Sequence, residues 1–435
     1  MVKYKDLNSE TSELIPGFSQ LLSKRVDQFS KEFWPSHYSK AKGTYIWDMN
    51  EKKYLDFSFS GIGANVLGYS DPDIDKAVIK SVKMGTSSSI NPIDELEFAK
   101  AMTKLHPWSD MVRTSRSGGE AVSIAIRLAR TYTNKSKILF CGYHGWSDWY
   151  LAANLASKSN LDNHLLPSLT SRGVPKELAN TAFPFNFNDL SQFKKLFKEN
   201  LDDLAGVIME PARSELPDQE FLSSIRESCT EHNIPFIFDE ISSGFRLCNG
   251  GAHLKIGVEP DIAVFAKALG NGYPISAIIG KKEFMSSAED SFISSTNWTE
   301  RIGPVAGIAL IKKFVSKDVS VKLCKFGKDM QSFWHDMNKE YDLNLNISGI
   351  YPLSSFSFLD DNDLKKTFFI EYMLKQNILA CNRYYPNYAQ TKKDQDIYFK
   401  SADKAFRLIN KYDKSGKLAN KIDGSISKSG FKRYA

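Results

Sequence analysis

Residues 261–270 read DIAVFAKALG, an apolar run that ends on Lys267 before a glycine turn. A lysine pushed into apolar surroundings loses proton affinity and becomes a nucleophilic amine able to condense with a carbonyl. A second apolar run, IPFIF from Ile234, ends on Asp239 and Glu240. An isolated carboxylate there is costly unless it meets a cation or strong donors. In RTSRSGGEAVSIAIRLAR, Ser117, Gly118 and Gly119 stand between a strand-like and a helix-like pattern. Glycines let the backbone approach an anion closely, and the unpaired N–H groups of a first helical turn favour a phosphate. In ILFCGYHGW, Tyr143 and His144 follow a strand pattern and lie between two glycines. A ring can project from such a turn over whatever occupies the strand ends.

Each feature alone also has an ordinary structural reading. These are a lysine whose stem lies on apolar surface, a plain N-cap, a core tyrosine and a satisfied histidine. Together they are a phosphate cradle, a ring-stacking aromatic, an acid for a ring nitrogen and a Schiff-base lysine, which are jointly the requirements of pyridoxal 5'-phosphate (PLP). The glycine turn is neither G-x-G-x-x-G nor a Walker A loop, so a dinucleotide or nucleoside triphosphate is not its natural guest. No His, Asp or Glu cluster supplies a convincing ligand set, so an organic cation is preferred to a metal as the partner of Asp239.

The elements that must position these groups follow from periodicity. Between about residues 105 and 280, the apolar runs DMVRTS, KILFCG, AGVIMEP, IPFIFDE, DIAVFAK and ISAIIG alternate with helical patterns at 120–131, 190–199 and 221–232. Near-continuous apolar strands of this kind predict an α/β domain around a largely parallel sheet, with function at the carboxyl ends of the strands. The segment GTYIWDMNEKKYLDF predicts a hairpin turning at 48–51, and the region beyond about 310 carries long helical patterns. The N- and C-terminal parts are therefore expected to form a smaller α+β domain, residues 1–65 with 311–435, around a large cofactor-binding domain at 66–310.

A chain of 435 residues that is 42% hydrophobic and 25% charged has the make-up of a globular protein with a sizeable core, not of a disordered or fibrous one. The surplus of six positive charges lies mostly in the last 25 residues, which read as a solvated or partner-contacting tail, so no nucleic-acid partner is expected. Five scattered cysteines without a C-x-x-C pair argue for a reducing compartment, and neither a secretory h-region nor a transmembrane-length run is present. The expectation is a cytoplasmic protein with no membrane association.

With these residues in place, the sequence resembles the class III aminotransferases of PLP fold type I, particularly the glutamate-1-semialdehyde 2,1-aminomutase branch. The resemblance is carried by IPGF at 15, GTYIWD, SGGEA, GYHG, MEP, FDEISSGFR, AKALGNGYPISAIIG and WTERIGP, in the family's order and spacing. It implies that Lys267 holds PLP as a Schiff base, that Asp239 faces the pyridine nitrogen, that Ser117, Gly118 and Gly119 bind the phosphate, and that Tyr143 stacks on the ring with His144 beside it. It also implies a homodimer with shared active sites, Thr299 reaching the phosphate of the neighbouring subunit. The implied reaction moves an amino group from an amino-acid donor, expected to be glutamate, to an aldehyde or ketone. The alternatives are the intramolecular aminomutase reaction and a non-catalytic scaffold of the same fold.

Three departures stand out. Gly119 occupies a position where the phosphate turn commonly has a hydroxyl. Glu215 stands where the aminomutases usually carry asparagine and many donor-using aminotransferases a glutamate, which favours intermolecular transfer. The arginine that would clamp a substrate carboxylate is placed at Arg25 in preference to Lys24, with Arg383 as a further candidate and a surface role equally open.

Overall fold

The structure, a computed structural model, describes residues 4–164 and 170–428, which divide into two compact units, 4–71 with 322–428, and 72–321. The smaller unit holds an N-terminal meander of β1 (Tyr38–Lys42), β2 (Tyr45–Asp48) and β3 (Lys53–Asp56), so the hairpin expected at 48–51 is present.

The large unit is built on seven strands: β4 (Met111–Ser115), β5 (Lys137–Cys141), β6 (Ala182–Pro184), β7 (Leu204–Met209), β8 (Phe236–Asp239), β9 (Ile262–Phe265) and β10 (Ser276–Gly280). Their order across the sheet is β4-β10-β9-β8-β7-β5-β6. Every residue of β7, β8 and β9 is buried, which is why these strands read as unbroken apolar runs instead of alternating ones. Helix Gly118–Thr133 covers one face through Val122, Ala125, Ile126, Leu128 and Ala129. Burying each of the larger aliphatic side chains contributes about 1.5–3 kcal/mol. This helix starts at a capping box, in which the Glu120 N–H donates to Ser117 Oγ and the Glu120 carboxylate accepts from the Ser117 N–H, and it stops at Asn134 in the left-handed region.

One strand departs from the parallel expectation. β10 runs antiparallel to both β4 and β9, because the connection after β9, residues 266–275, is too short for the crossover that a parallel return demands. The chain instead turns back through a 3-10 turn, Lys267–Gly270, and Asn271 at φ +46°.

The C-terminal half of the smaller unit adds β11 (Leu345–Ser348), β12 (Ser354–Phe358), β13 (Ile378–Leu379) and β14 (Arg383–Tyr384). β13 pairs in parallel with β3, so N- and C-terminal segments share one sheet. Their core is aromatic, with Phe57, Trp334, Phe356, Phe369, Tyr398 and Phe406 all buried. The division after Asp71 and Val321 lies beyond the sequence-expected boundaries at 65 and 310. Helix Ile302–Ser316 stays with the large unit, where Lys313 pairs with Asp73 at 2.7 Å and Gly307 has no room for a Cβ against Phe98. The segment GIALIKKFVSKDV spans two helices, since Asp318 at φ +45° separates Ile302–Ser316 from Val319–Tyr341.

Candidate active site

Strands β4, β5, β7, β8 and β9 point the same way, so their carboxyl ends open on one edge of the sheet. The turns that follow them carry Ser117, Tyr143 with His144, Glu210 with Arg213, Asp239, and Lys267. Residues separated by as many as 150 positions therefore meet within one unit.

Lys267 is half-buried, and its Nζ donates to Ser242 Oγ at 2.8 Å. Its backbone lies at φ +44°, a left-handed conformation uncommon for a residue with a side chain and characteristic of positions held under functional constraint. Burial, and after it the charge of Arg213, brings the amine down to about 8, against the upward pull of Glu210 and Asp239. The neutral, nucleophilic share of the amine near pH 7 is then a minority, but far larger than for an ordinary lysine.

Asp239 is 2% exposed. Burial pushes its carboxyl above the ordinary range, and the hydrogen bond and charge of His144 partly offset this. His144 Nδ1 lies 2.8 Å from Asp239 Oδ2, while Nε2 lies 3.2 Å from the Cys141 carbonyl. A carbonyl only accepts, so Nε2 carries a hydrogen, and the remaining proton of the pair lies between Nδ1 and Oδ2. Asp239 Oδ1 accepts the Ile241 N–H at 3.0 Å. The carboxyl is thereby held from both sides.

The neighbouring Glu240 is fixed by a different set. His253 Nε2 accepts from Trp108 Nε1 at 2.9 Å, which leaves His253 Nδ1 as the donor to Glu240 Oε1 at 2.8 Å. The His253 N–H and the Ser243 hydroxyl also donate to this carboxylate. Burial raises Glu240, but the His253 and Ser243 donors outweigh it and hold it ionised. Of the two adjacent acids, Glu240 anchors the turn and Asp239 stands at the strand edge.

Tyr143 is half-buried, with its ring edge-on to Tyr150 at 6.1 Å. Its N–H donates to Glu210 Oε2 at 3.0 Å, and Gly142, at φ +114°, has no room for a Cβ against the same carboxylate. Arg213 pairs with Glu210 at 3.0 and 3.2 Å. Burial raises the Glu210 carboxyl, but Arg213, His144 and the Tyr143 N–H together hold it below its ordinary value.

At the glycine turn, the Glu120 carboxylate accepts from the N–H groups of Arg116 and Ser117 and from the Ser117 hydroxyl. Ser117 thus spends its hydroxyl on the cap. The Gly118 and Gly119 N–H groups, in the first turn, have no intrahelical partner. A Cβ on Gly118 would lie 2.8 Å from Ile241 Cδ1, so this turn packs on the one that follows Asp239.

The remaining sequence-expected residues lie elsewhere. Thr299 is exposed on the turn Thr296–Thr299, which Arg116 holds through the Trp298 and Glu300 carbonyls and Glu120 through the Trp298 indole. Glu215 is exposed beyond the β7 end. Arg25 belongs to the smaller unit, where its guanidinium is engaged by Asp27 at 2.6 and 3.2 Å. Arg383 lies on β14 of that unit. Two arginines lower the proton affinity of Lys267, Arg213 first and Arg246 after it, and neither is among the sequence-expected site residues; Arg213 lies within MEPARSELP. Its three-residue spacing from Glu210 was the available signal. Among the described residues, no group of three or more His, Cys, Asp or Glu side chains is arranged to hold a metal ion, and no helix is long and apolar enough to cross a membrane.

Residues 28–406 match the family model described as aminotransferase class-III. The chain is 30% identical over 416 residues to a 3-aminobutyryl-CoA aminotransferase of Cloacimonas acidaminovorans, covering 92% of this chain and 95% of that protein. It is 31% identical over 393 residues to a glutamate-1-semialdehyde 2,1-aminomutase of Francisella philomiragia, covering 88% and 89%. In architecture it is similar to the FumI protein of Sphingopyxis sp. MTA144 in its PLP internal aldimine form (TM-score 0.85, 24% identity, covering 94% and 97% of the two chains). It is also similar to an omega-transaminase from Sphaerobacter thermophilus (TM-score 0.82, 22% identity, 93% and 97%). With a family model spanning most of its length and two curated relatives at this identity and coverage, the chain belongs to the class III aminotransferases, enzymes that work with pyridoxal 5'-phosphate.

Proposed function

We propose that this protein transfers an amino group from an amino-acid donor, glutamate in the first instance, to a separate aldehyde or ketone acceptor, with Lys267 as the amine that holds the cofactor. The observation that carries this reading is the half-buried Lys267 amine, brought down to about 8, on the same sheet edge as the buried Asp239 carboxyl.

The residues fit the cofactor's chemistry. Gly118 and Gly119 present two first-turn N–H groups for a phosphate, and Asp239 offers a charge-bearing carboxyl for a ring nitrogen. Tyr143 offers an aromatic face beside them. When bound, PLP supplies an electron-accepting ring that carries the amino group between substrates. With the cofactor bound, the Lys267 amine would take the proton from the donor's Cα as general base and deliver it, as general acid, to the cofactor's carbonyl-derived carbon. The charge on Asp239, shared with His144, would keep a ring nitrogen placed against it protonated. Ser242 Oγ accepts from the Lys267 amine and orients it. Arg213 holds Glu210 and keeps the amine's proton affinity low.

Arg213→Gln tests that last role. Removing a neighbouring positive charge favours the protonated amine, so the Lys267 pKa rises from about 8. Uptake of the cofactor by apoprotein at pH 7.5 is expected to slow several-fold and to recover as the pH is raised. An unchanged pH profile would separate Arg213 from Lys267.

The names of the relatives cover both intermolecular transfer and the aminomutase reaction, and Glu215 favours the former. The two are distinguished by supplying glutamate-1-semialdehyde alone to protein carrying the aminated cofactor. Many turnovers without a second substrate mean an aminomutase, whereas an absolute need for a carbonyl acceptor, found by screening a carbonyl library for loss of the aminated cofactor, supports the proposal.

A homodimer with Thr299 contributed across the interface is part of the same reading. The exposed apolar side chains Val82, Met84, Ile90 and Phe292 of the large unit favour a covered surface there. Light scattering at micromolar concentration checks it. A reducing, cytoplasmic setting is supported by five cysteines that are all free thiols.

A further inference from the structure

The turn after β5 brings an unusual side chain to the glycine turn. Trp146 is 75% exposed, although it directly follows a turn that is otherwise packed into the sheet edge. Its position is defined by Gly119. A Cβ built on Gly119 would meet no core atom, and its nearest neighbours would be Trp146 Nε1 at 3.2 Å and Cδ1 at 3.5 Å. The backbone of the same turn comes equally close, since a Cβ on Gly145 would lie 3.4 Å from the Gly119 Cα. The volume that a side chain at 119 would fill is thus bordered by the polar edge of an indole.

An indole Nε1–H is a donor and nothing else. Among the described residues it has no acceptor, and it borders the side-chain position of Gly119, a residue of the first helical turn. Because Ser117 spends its hydroxyl in the capping box, no hydroxyl of this turn is left over for an anion.

We propose that the Trp146 indole Nε1–H is a side-chain donor to the cofactor phosphate, standing in for the hydroxyl that Gly119 cannot supply. This rests on the reading of Lys267 and the glycine turn as the PLP site. Gly119 and Trp146 then form a matched pair: the absent side chain makes room for the indole edge, and the indole returns a directional hydrogen bond. A hydrogen bond to a charged acceptor on a partly open surface is the kind whose loss is felt in affinity.

The test measures cofactor affinity of the apoprotein by absorbance titration, with PLP and with unphosphorylated pyridoxal. Trp146→Phe keeps an aromatic ring and removes the donor, and at so exposed a position it leaves the core intact, as an unchanged melting temperature would verify. PLP binding is expected to weaken about tenfold, while pyridoxal binding stays the same. Trp146→His, which restores an N–H, should recover part of the loss. Gly119→Ser in the Trp146→Phe background should recover more, since the hydroxyl then enters space the indole has vacated. In the wild-type background the same substitution should give no gain, because its Cβ meets Nε1 at 3.2 Å. Equal loss of PLP and pyridoxal binding in Trp146→Phe, or no loss of either, overturns the inference while leaving the proposed function standing. A wild-type apoprotein that takes up no PLP overturns both.

Discussion

Lys267→Ala is expected to fold, to take up PLP without covalent attachment, and to turn over at least about 10²–10⁴-fold more slowly than wild type, the loss that removal of a positioned acid–base group brings. Burial, and after it the charge of Arg213, brings the proton affinity of this amine down to about 8. An unperturbed lysine is almost wholly charged at pH 7. Alanine removes both the covalent anchor and the proton carrier, and Ser242 Oγ loses the group it orients. Borohydride reduction followed by mass measurement reads the attachment, and small amines added to the variant should restore part of the turnover.

Stability should move the other way. A lysine with a lowered folded-state pKa binds protons more weakly folded than unfolded. That cost is present below about pH 8 and fades as the pH rises toward the ordinary lysine range. The apo variant should therefore melt no lower than wild type at pH 7. Near-wild-type turnover in Lys267→Ala would end the assignment.

Asp239→Asn carries the second large effect, a loss of about 10²–10³-fold in turnover, the scale of removing one preorganised electrostatic contact. The substitution is nearly isosteric. Asn Oδ1 can still accept the Ile241 N–H, and Nδ2 can donate to His144 Nδ1, whose ring keeps its Nε2–H on the Cys141 carbonyl. What disappears is the charge that, on the proposed function, would keep a ring nitrogen of the cofactor protonated.

The stability argument again separates function from fold. The Asp239 carboxyl is raised by burial, so it contributes most when protonated at low pH and loses that contribution as the pH rises through its folded-state value. Asparagine removes the cost of ionisation, and apo Asp239→Asn should be at least as stable as wild type at neutral pH. A melting temperature well below wild type would mean that the charged pair with His144 supports the fold itself. Retention of full turnover would remove Asp239 from the chemistry.

Much of the large unit was legible because both faces of its strands are covered. The runs in β7, β8 and β9 are apolar up to the Asp239 that ends β8 for that reason, and helix Gly118–Thr133 is announced by its Ser117 cap, Glu120 and a single apolar stripe. The direction of β10 was less visible, as ISAIIG looks the same in either orientation. Only the short connection through Lys267–Gly270 decides it.

Residue type and order by themselves determined that a lysine, a carboxylate, a glycine turn and a tyrosine follow successive strands, because strand ends and helix starts are written in local periodicity. The tertiary structure alone decided how two adjacent acids are held. Asp239, already singled out by the family resemblance, meets His144, and Glu240 meets His253, partners 95 and 13 residues away. It also decided that Arg213 and Arg246 share the electrostatics of Lys267, and that the room at Gly119 is bordered by an indole. Pairings of this kind depend on distances between strand ends, and a one-dimensional pattern carries no such distances.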